Sequence, residues 1–357
     1  MALIDIRSAS MAELAALAEV LHEKPFRAKQ IFRWIHARQA NTFDEMTDLS
    51  KTFRIGLHDA ARLSAITIVQ KQESAIDGTI KYLFAFENEI IIGRDGEPAA
   101  PVYAEAVLMR HSYGDTVCIS SQAGCRMGCK FCASTIDGLA RNLTAGEMAG
   151  QIYAIVKDTC VHVTRTVVMG CGEPLDNYDN LLRFIQLINA AEGHNMSQRN
   201  ITVSTCGLVD DMRRLMKESL QITLAVSLHA PNDAIRQTLM PIAKKYPMAD
   251  LLATCREYGD RTKRRVTFEY ALIAGVNDSI SHAQELASKM KHMLCHVNLI
   301  PVNEIRERDF QKSSDTSVEN FAKALQSRGI DVTIRKRHGA DIDAACGQLR
   351  QKRNLQN

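Results

Sequence analysis

The first part of the chain carries apolar residues at helical spacing. One such stretch covers residues 11–21 directly after Ser10, whose side chain is suited to cap a helix. A second stretch covers residues 26–36 after Pro25. Residues 1–62 are therefore predicted to form a small helical domain.

The hydrophobic pattern changes from Ile66 onward. Short runs rich in Ile, Val, Tyr and Phe replace the helical periodicity, and Asp77–Gly78 and Asp95–Gly96 are turn signals between them. Such runs joined by tight turns are typical of β-hairpins. Residues 63–114 are predicted to form a β-rich connecting segment.

Beyond residue 115, strand-like and helix-like stretches alternate. Six β-rich runs are predicted to be strands: residues 116–121, 165–169, 201–204, 222–227, 266–271 and 297–301. Amphipathic stretches such as 145–157, capped by Thr144, and 318–327 are predicted helices. Helices that cross over between strands make the strands parallel. Residues 115–345 are therefore predicted to form an α/β domain with a closed or partly closed barrel. Ligands would bind at the carboxyl ends of its strands.

Composition and charge limit the partners of such a protein. The chain has 357 residues, of which 46% are hydrophobic, so it can bury a sizeable core. A net charge of +3 is too small for a general polyanion binder, and nucleic-acid contact would depend on the basic clusters 244–245, 263–265 and 335–338. The chain start does not resemble a secretion signal, and no apolar run has the length of a membrane span. We expect a cytoplasmic protein without a membrane partner.

The ten cysteines are the strongest chemical signal in the sequence. In reducing conditions, clustered cysteines more often bind metal or react than form structural disulfides. Cys125, Cys129 and Cys132 follow a predicted strand with CxxxCxxC spacing, and Gly124 and Gly128 allow the loop to turn tightly. Electron-transfer [4Fe-4S] sites use four cysteines, so three would leave one iron open for another ligand. The alternatives are a zinc knuckle or buried thiols, although no fourth cysteine or histidine nearby completes a zinc set.

This spacing resembles the signature of the radical S-adenosylmethionine (SAM) superfamily, and further motifs narrow the resemblance. These motifs are FRAKQIFRW (26–34), VCISSQ (117–122), CRMGCKFC (125–132), MGCGEPL (169–175), STCG (204–207), SLHA (227–230) and DIDAACGQL (341–349). In these motifs the chain resembles RNA methyltransferases of the RlmN type, over nearly its whole length.

The resemblance implies a partial (β/α)6 barrel preceded by the helical domain and the β-rich connection. It also implies that Cys125, Cys129 and Cys132 hold a [4Fe-4S] cluster whose open iron is chelated by the amino and carboxylate groups of SAM. Reduction would cleave SAM to methionine and a deoxyadenosyl radical, so the cofactor reacts while the protein positions it. The residues expected to contact SAM are Gly172, Glu173, Ser204, Ser227, Leu228, His229 and Asn303. Without the cysteine motif, residues 172–174 could be a plain turn and His229 a core histidine.

The implied reaction methylates C2 of an adenine, an electron-poor carbon that offers no nucleophile to SAM. One SAM would methylate Cys346, and a radical from a second SAM would take hydrogen from that S-methyl group, so that its carbon adds to the base. Cys118 would release the resulting thioether by forming a disulfide with Cys346, and Glu105 would remove the base proton. Residues 346–357 would then be a C-terminal segment with the methyl-carrying cysteine. In the plainer interpretation both cysteines pack and Glu105 is a solvated carboxylate.

The resemblance also implies the partners. The substrate would be an adenosine of the peptidyl transferase centre in 23S rRNA and, in some relatives, also the adenosine 3′ to the anticodon in tRNA. A flavodoxin or ferredoxin would donate electrons, and we expect a monomer. The basic cluster 335–338 is the best candidate for holding RNA because it lies close to Cys346 in sequence. A folded RNA could also be bound by the helical domain through Arg27, Lys29 and Arg33.

Two other functions compete with this hypothesis. A Cfr-like enzyme would use the same machinery to methylate C8 of the adenine, although residues 133–135 and 173–174 look more like RlmN. A non-catalytic RNA-binding protein with structural zinc would need no paired Cys118 and Cys346.

Two features of the chain depart from the family pattern. Cys171 stands where many relatives have Met, so a fourth cluster ligand or an alternative disulfide partner stays open, and residues 87–101 look longer than expected. The remaining cysteines are assigned to packing: Cys160, Cys206, Cys255 and Cys295.

Overall fold

The computed structural model describes residues 3–92, 98–303, 308–336 and 338–342. Its first part contains three helices and two short strands that pair in parallel. They are β1 (Ile4–Asp5), α1 (Met11–Val20), α2 (Arg27–His36), α3 (Lys51–Ala60) and β2 (Ala61–Arg62). Ser10 caps α1 in a capping box with Glu13, as the sequence predicts. Leu14, Leu17 and Phe32 are buried where the helices pack together.

Three antiparallel strands follow the helices. They are β3 (Ile66–Glu73), β4 (Ile80–Ile92) and β5 (Pro98–Met109). The predicted turn at Asp77–Gly78 joins β3 to β4, and Gly78 has a φ of +66°, which favours glycine. The second predicted turn, Asp95–Gly96, lies outside the described residues. Because β5 also pairs with the first barrel strand, the β-rich segment extends the barrel sheet rather than forming a separate layer.

The barrel strands agree with the sequence-based expectation, and the fold class is confirmed. The strands in chain order are β6 (Asp115–Ile119), β7 (Gln122–Gly124), β8 (Leu139–Asn142), β9 (Val163–Val168), β10 (Ile201–Thr205), β11 (Thr223–Ser227), β12 (Val266–Leu272), β13 (Cys295–Pro301) and β14 (Val332–Ile334). The main sheet has the order β14-β13-β12-β11-β10-β9-β6-β5-β4-β3. Within the described residues its two end strands do not pair, so the barrel is open there. Strand β14, which the sequence analysis missed, adds a seventh parallel strand beside β13.

In the part of the chain that the structure describes, seven helices accompany these strands. They are α4 (Ala145–Thr159), α5 (Tyr178–Asn189), α6 (Val209–Leu215), α7 (Asp233–Leu239), α8 (Met248–Thr262), α9 (Ile280–Met290) and α10 (Asp315–Gln326). Short 3₁₀ helices lie at Ala133–Thr135, Pro174–Asn177, Gln198–Asn200, Met216–Glu218 and Pro241–Lys244. Thr144 caps α4 as predicted, whereas α10 begins three residues earlier than predicted because Ser314 caps it. None of the helices in the described ranges is both long and apolar enough to cross a membrane.

The N-terminal helices contact the barrel through α4. The backbone N–H of Gly146 donates to the Ser8 hydroxyl at 2.9 Å, and a Cβ at Gly146 would lie only 2.7 Å from that oxygen. Further along α4, the hydroxyl of Tyr153 lies 2.9 Å from Nδ1 of His36, which is fully buried. A glycine is therefore needed where residues 7 and 8 cross the start of α4.

Candidate active site

A cavity opens at the carboxyl ends of the parallel strands. Its volume is about 240 Å³, close to the lower end of the range of small-molecule sites. Eight of the ten residues predicted to hold the cluster or SAM line it: Cys125, Cys129, Cys132, Gly172, Glu173, Ser204, Ser227 and His229. Leu228 packs into the hydrophobic core instead, and Asn303 follows β13 without reaching the lining.

The three cysteines lie on the loop between β7 and β8. Cys125 donates its backbone N–H to the carbonyl of Gly138 at 2.9 Å, while the Thr135 hydroxyl donates to the carbonyls of Cys129 at 3.0 Å and Cys132 at 2.9 Å. These bonds hold the loop in one shape. Burial raises the pKa of the Cys125 thiol to about 12 and raises the pKa values of Cys129 and Cys132. Thiolates in this place would need positive charge beside them, which an iron cluster supplies.

The donor set fits a cluster better than a single ion. No three His, Cys, Asp or Glu side chains converge closely enough to hold one metal ion in the part of the chain that the structure describes. In a [4Fe-4S] cluster each cysteine binds its own iron, so the sulfurs can line one cavity without meeting at a point. The zinc hypothesis would require such a meeting point.

Gly172 and Glu173 form a tight turn after β9. Gly172 has a φ of +104°, and a Cβ there would lie 2.6 Å from Cβ of Gln122. The buried Glu173 carboxylate accepts the N–H of Cys206 at 2.6 Å and the N–H of Leu175 at 3.1 Å. Burial raises its pKa, while these hydrogen bonds oppose the rise. Glu173 therefore joins the end of β9 to the end of β10 on the cavity wall.

His229 lies at the end of β11 in a strained conformation with a φ of +57°. Its Nδ1 accepts the N–H of Ala271 at 2.9 Å, so Nε2 carries the proton of the neutral ring. Burial, together with the nearby Arg236 guanidinium, lowers the pKa of His229 to about 3. The ring therefore stays neutral at physiological pH. The edge of its ring packs against Phe131 of the cysteine loop, with centroids 4.8 Å apart.

Glu105 and Cys118 lie on the same face of adjoining strands. Tyr82, Phe84, Ala104 and Ala106 point into the main core, so the alternating residues of β4 and β5 point to the opposite face. Cys118 stands opposite Val107 and packs with Met109 and Met169. Met169 also lines the cavity, so the side chains packed around Cys118 adjoin the site.

Glu105 is buried rather than solvated. Its Oε2 lies 2.8 Å from Nζ of Lys81, and the two side chains are 3% and 0% exposed. The plainer sequence interpretation, a carboxylate on a solvated strand face, is therefore wrong. Lys81 was missed by the sequence analysis, because one lysine in a β-rich run carries no signal of burial.

Cys346 lies outside the described residues. No disulfide joins any two described cysteines, and the expected Cys118–Cys346 disulfide stays a prediction. Cys171 is buried, and the hydroxyl of Ser134 donates to its sulfur at 3.3 Å. Cys171 is not part of the cavity lining, although the glycines on both sides of it are.

Comparisons with known proteins place these features in a family. Residues 3–63 match the model for the ribosomal RNA large subunit methyltransferase N-terminal domain, and residues 119–287 match the radical SAM superfamily. The chain is 48% identical to "Probable dual-specificity RNA methyltransferase RlmN" of Lachnoclostridium phytofermentans, over 98% of this chain and 94% of that protein. The namesake in Lachnospira eligens is 50% identical over 98% of this chain and 96% of its own length.

The chain belongs to the RlmN family. A crystal structure of a radical SAM methyltransferase from Sphaerobacter thermophilus has the same fold, with a TM-score of 0.89 and 42% identity over 97% of this chain and 98% of that one. The resemblance found in the sequence motifs is therefore confirmed, and with it the radical SAM fold.

For this RlmN family member, sequence reasoning missed several residues of the cavity wall. Cys206, assigned to packing, lines the cavity, as does Glu269. Arg335, assigned to RNA binding as part of the cluster 335–338, also lines it. Cys206 directly follows β10, so its position at a strand end was a usable signal. Glu269 is the only charged residue in β12, which was a second signal. Cys160, also assigned to packing, is exposed.

Nothing in the sequence indicated that Arg236 would lie near the site. Its guanidinium is completely buried and donates to the carbonyls of Cys206 at 2.8 Å and Leu228 at 3.3 Å. It therefore ties the ends of β10 and β11 together behind the cavity. Its partners are backbone carbonyl groups, which every residue type has, so no sequence pattern marks them.

The basic clusters separate into two groups. Arg335 lines the cavity, and Lys244 follows closely after Met240, which also lines it. Arg264, in contrast, bonds to the start of β11 through Ile222 and Thr223, at the opposite end of the strands from the site. The cluster 263–265 is therefore not beside the cavity.

Proposed function

We propose that this protein methylates C2 of a specific adenosine in the peptidyl transferase centre of 23S rRNA, and also C2 of the adenosine 3′ to the anticodon in tRNA. The observation that carries the proposal is the shared face of Glu105 and Cys118, which adjoins a cavity lined by three cysteines. A general base and a thiol beside a cluster site are the groups that methylation through a protein thioether requires.

Cys125, Cys129 and Cys132 would hold the [4Fe-4S] cluster. Gly172, Glu173, Ser204, Ser227 and His229 would bind SAM on the other walls, with Leu228 and Asn303 contributing from beyond the lining. When bound, the cluster and SAM supply the radical chemistry and exchange the single electrons that it requires. The protonated Nε2 of His229 is available to donate a hydrogen bond to a ligand in the cavity.

The remaining steps take place on side chains of the protein and on the RNA base. Cys346 carries a methyl group, and after losing one hydrogen atom its carbon bonds to C2 of the adenine. Glu105 accepts the proton that C2 loses. The Cys118 thiolate then attacks the sulfur of Cys346: an S–S bond forms, the S–C bond breaks, and the electron pair stays on the methylene carbon. That carbon takes up a proton and becomes the methyl group.

The accessory parts have corresponding roles. We propose that residues 1–62 bind RNA, that 63–114 connect them to the barrel at 115–345, and that 346–357 present the methyl-carrying cysteine. The exposed side chains of Lys29 and Arg33 support a role in RNA binding, although both also pair with Glu192. A flavodoxin or ferredoxin would reduce the cluster, and the protein would act as a cytoplasmic monomer.

Mass spectrometry of nucleosides tests this proposal directly. Ribosomal RNA and tRNA are purified from a strain that lacks its own enzyme and carries either this gene or its Cys346→Ala variant. We expect 2-methyladenosine in both RNA pools only with the unchanged gene. 8-Methyladenosine as the main product would assign the protein to the Cfr-like alternative, and no new methyladenosine would overturn the proposal.

A further inference from the structure

The turn between β3 and β4 contacts the residues that lead to Cys346. The Ser74 hydroxyl donates to Oδ1 of Asp341 at 2.5 Å, and the N–H of Ala75 donates to Oδ2 of the same carboxylate at 2.8 Å. Both carboxylate oxygens are therefore engaged by a turn more than 260 residues away in the sequence. Hydrogen bonds to an ionised carboxylate are among the stronger polar contacts in proteins.

A second contact lies beside the first. Oδ2 of Asp77 accepts the N–H of Gly339 at 3.0 Å and lies 3.4 Å from Nδ1 of His338. The ring of His338 also packs edge-on against His111, with centroids 5.1 Å apart. The turn thus holds the chain at 338–339 as well as at 341.

The turn itself is well ordered by internal bonds. The N–H of Ser74 donates to the carbonyl of Thr79 at 2.8 Å, and Oδ1 of Asp77 accepts the N–H of Thr79 at 3.0 Å. Ser74 and Thr79 are buried, with 3% and 0% exposure. Two residues after Thr79, strand β4 carries Lys81, the partner of Glu105. One hairpin therefore carries both the contact to Asp341 and Lys81, the partner of the base proposed for the reaction.

We propose that Asp341 is a positioning residue for Cys346. Ser74 and Ala75 fix the point from which the C-terminal segment departs, and Cys346 follows Asp341 by five positions in the sequence. An extended chain of five residues spans at most about 18 Å, so a fixed Asp341 keeps the thiol within that radius of the turn. Confining a reacting group in this way raises its effective concentration. The inference rests on the proposed function, in which Cys346 carries the methyl group.

The test compares Asp341→Ala, Asp341→Asn and Ser74→Ala with Asp331→Ala. Asp331 is a matched control because it is an exposed carboxylate of the same part of the chain, close to Arg265 and away from the site. Iron content and SAM binding should be unchanged in all four proteins. Peptide mass spectrometry should show Cys346 methylation at least about tenfold slower in Asp341→Ala than in the control, with the KM for RNA within about twofold. Asp341→Asn, which keeps one acceptor oxygen, should lie between them.

Alkylation of Cys346 by iodoacetamide gives a reading that does not require activity. Its rate should change severalfold in Asp341→Ala and Ser74→Ala relative to Asp331→Ala, because loss of the contacts at Asp341 lets the thiol move over a wider range. Equal methylation and equal alkylation in Asp341→Ala and Asp331→Ala would overturn the inference. If Cys346 of the unchanged protein acquires no methyl group, the proposed function fails, while the alkylation rates still decide whether Asp341 holds the segment.

Discussion

The ammonium group of Lys81 lies 2.8 Å from the carboxylate of Glu105, and both side chains are buried. A buried carboxylate without its cation is strongly unfavourable, whereas removal of both charges is often tolerated. We therefore expect Lys81→Met to lower the free energy of unfolding by about 3–5 kcal/mol. Urea denaturation of the purified protein measures this loss.

The double variant Lys81→Met/Glu105→Leu provides the control. It should recover much of the lost stability, because no charge is left buried, yet it should form no methylated RNA. If the double variant is as unstable as Lys81→Met alone, the loss comes from packing rather than from an uncompensated Glu105.

The cysteine loop predicts the metal content of the protein. After anaerobic reconstitution, the unchanged protein should contain iron and absorb broadly in the visible range, and this absorbance should change when SAM is added. The triple variant Cys125→Ala/Cys129→Ala/Cys132→Ala should lose both signals. Cys160→Ser, which changes an exposed cysteine, should retain them. Stoichiometric zinc without iron in the unchanged protein would contradict the cluster.

Cys118 is expected to act only after the RNA has been attached. Cys118→Ala should bind iron and SAM, acquire the methyl group on Cys346 and then stall as a covalent protein–RNA adduct. The adduct should appear on a denaturing gel as a shifted band that ribonuclease removes. Cys346→Ala should give neither adduct nor product. Normal turnover by Cys118→Ala would transfer the releasing role to another thiol, with Cys171 the first to examine.

Gly172 and Gly138 form a matched pair for testing the turn after β9. Both have a positive φ, +104° and +69°, so an alanine is strained at either position. A Cβ at Gly172 would meet Gln122 at 2.6 Å, whereas a Cβ at Gly138 would meet nothing within 4 Å. Gly172→Ala should therefore weaken SAM binding by at least about tenfold, the factor that 1.4 kcal/mol of lost binding energy gives. Equilibrium dialysis with labelled SAM measures this, and equal affinities in the two variants would contradict the assignment of Gly172.

His36 should make stability depend on pH. Burial, with a contribution from Arg7, lowers its pKa to about 3, whereas a histidine in the unfolded chain has a pKa of about 6.5. Between these values the unfolded chain binds a proton that the folded protein does not bind, so acid favours unfolding. The contribution is fully present above about pH 6.5 and is lost at about 1.4 kcal/mol per pH unit as the pH falls towards 3.

Urea denaturation between pH 7 and pH 4 tests this, with His36→Gln as the comparison. The variant should be less stable at pH 7, because the contact with Tyr153 changes, but should lose less stability on acidification. The difference in slope between the two proteins isolates His36 from other titrating groups. Parallel curves would show that His36 is protonated equally in both states.

Much of the fold and part of the site could be predicted from local patterns. The strand that ends at Ser227 and the helix that begins after Thr144 depend on neighbouring residues, so β-rich runs and capping side chains reveal them. The spacing of Cys125, Cys129 and Cys132 is local as well. Strand ends of a parallel sheet lie at one edge, which explains why Gly172 and His229 were expected near the cysteines before any contact was known.

The tertiary structure alone decided which distant groups meet. Lys81 and Glu105 lie on strands whose pairing and pleat place both on one face, and Asp341 meets Ser74 across most of the chain. Whether a carboxylate is solvated or buried beside a cation depends on such pairing, which single residues in a sequence do not encode. The sequence by itself therefore determined six of the parallel barrel strands, the cysteine loop and the family. The partners of Glu105 and Asp341 followed only from the fold, because long-range contacts arise from the packing of whole elements rather than from local propensity.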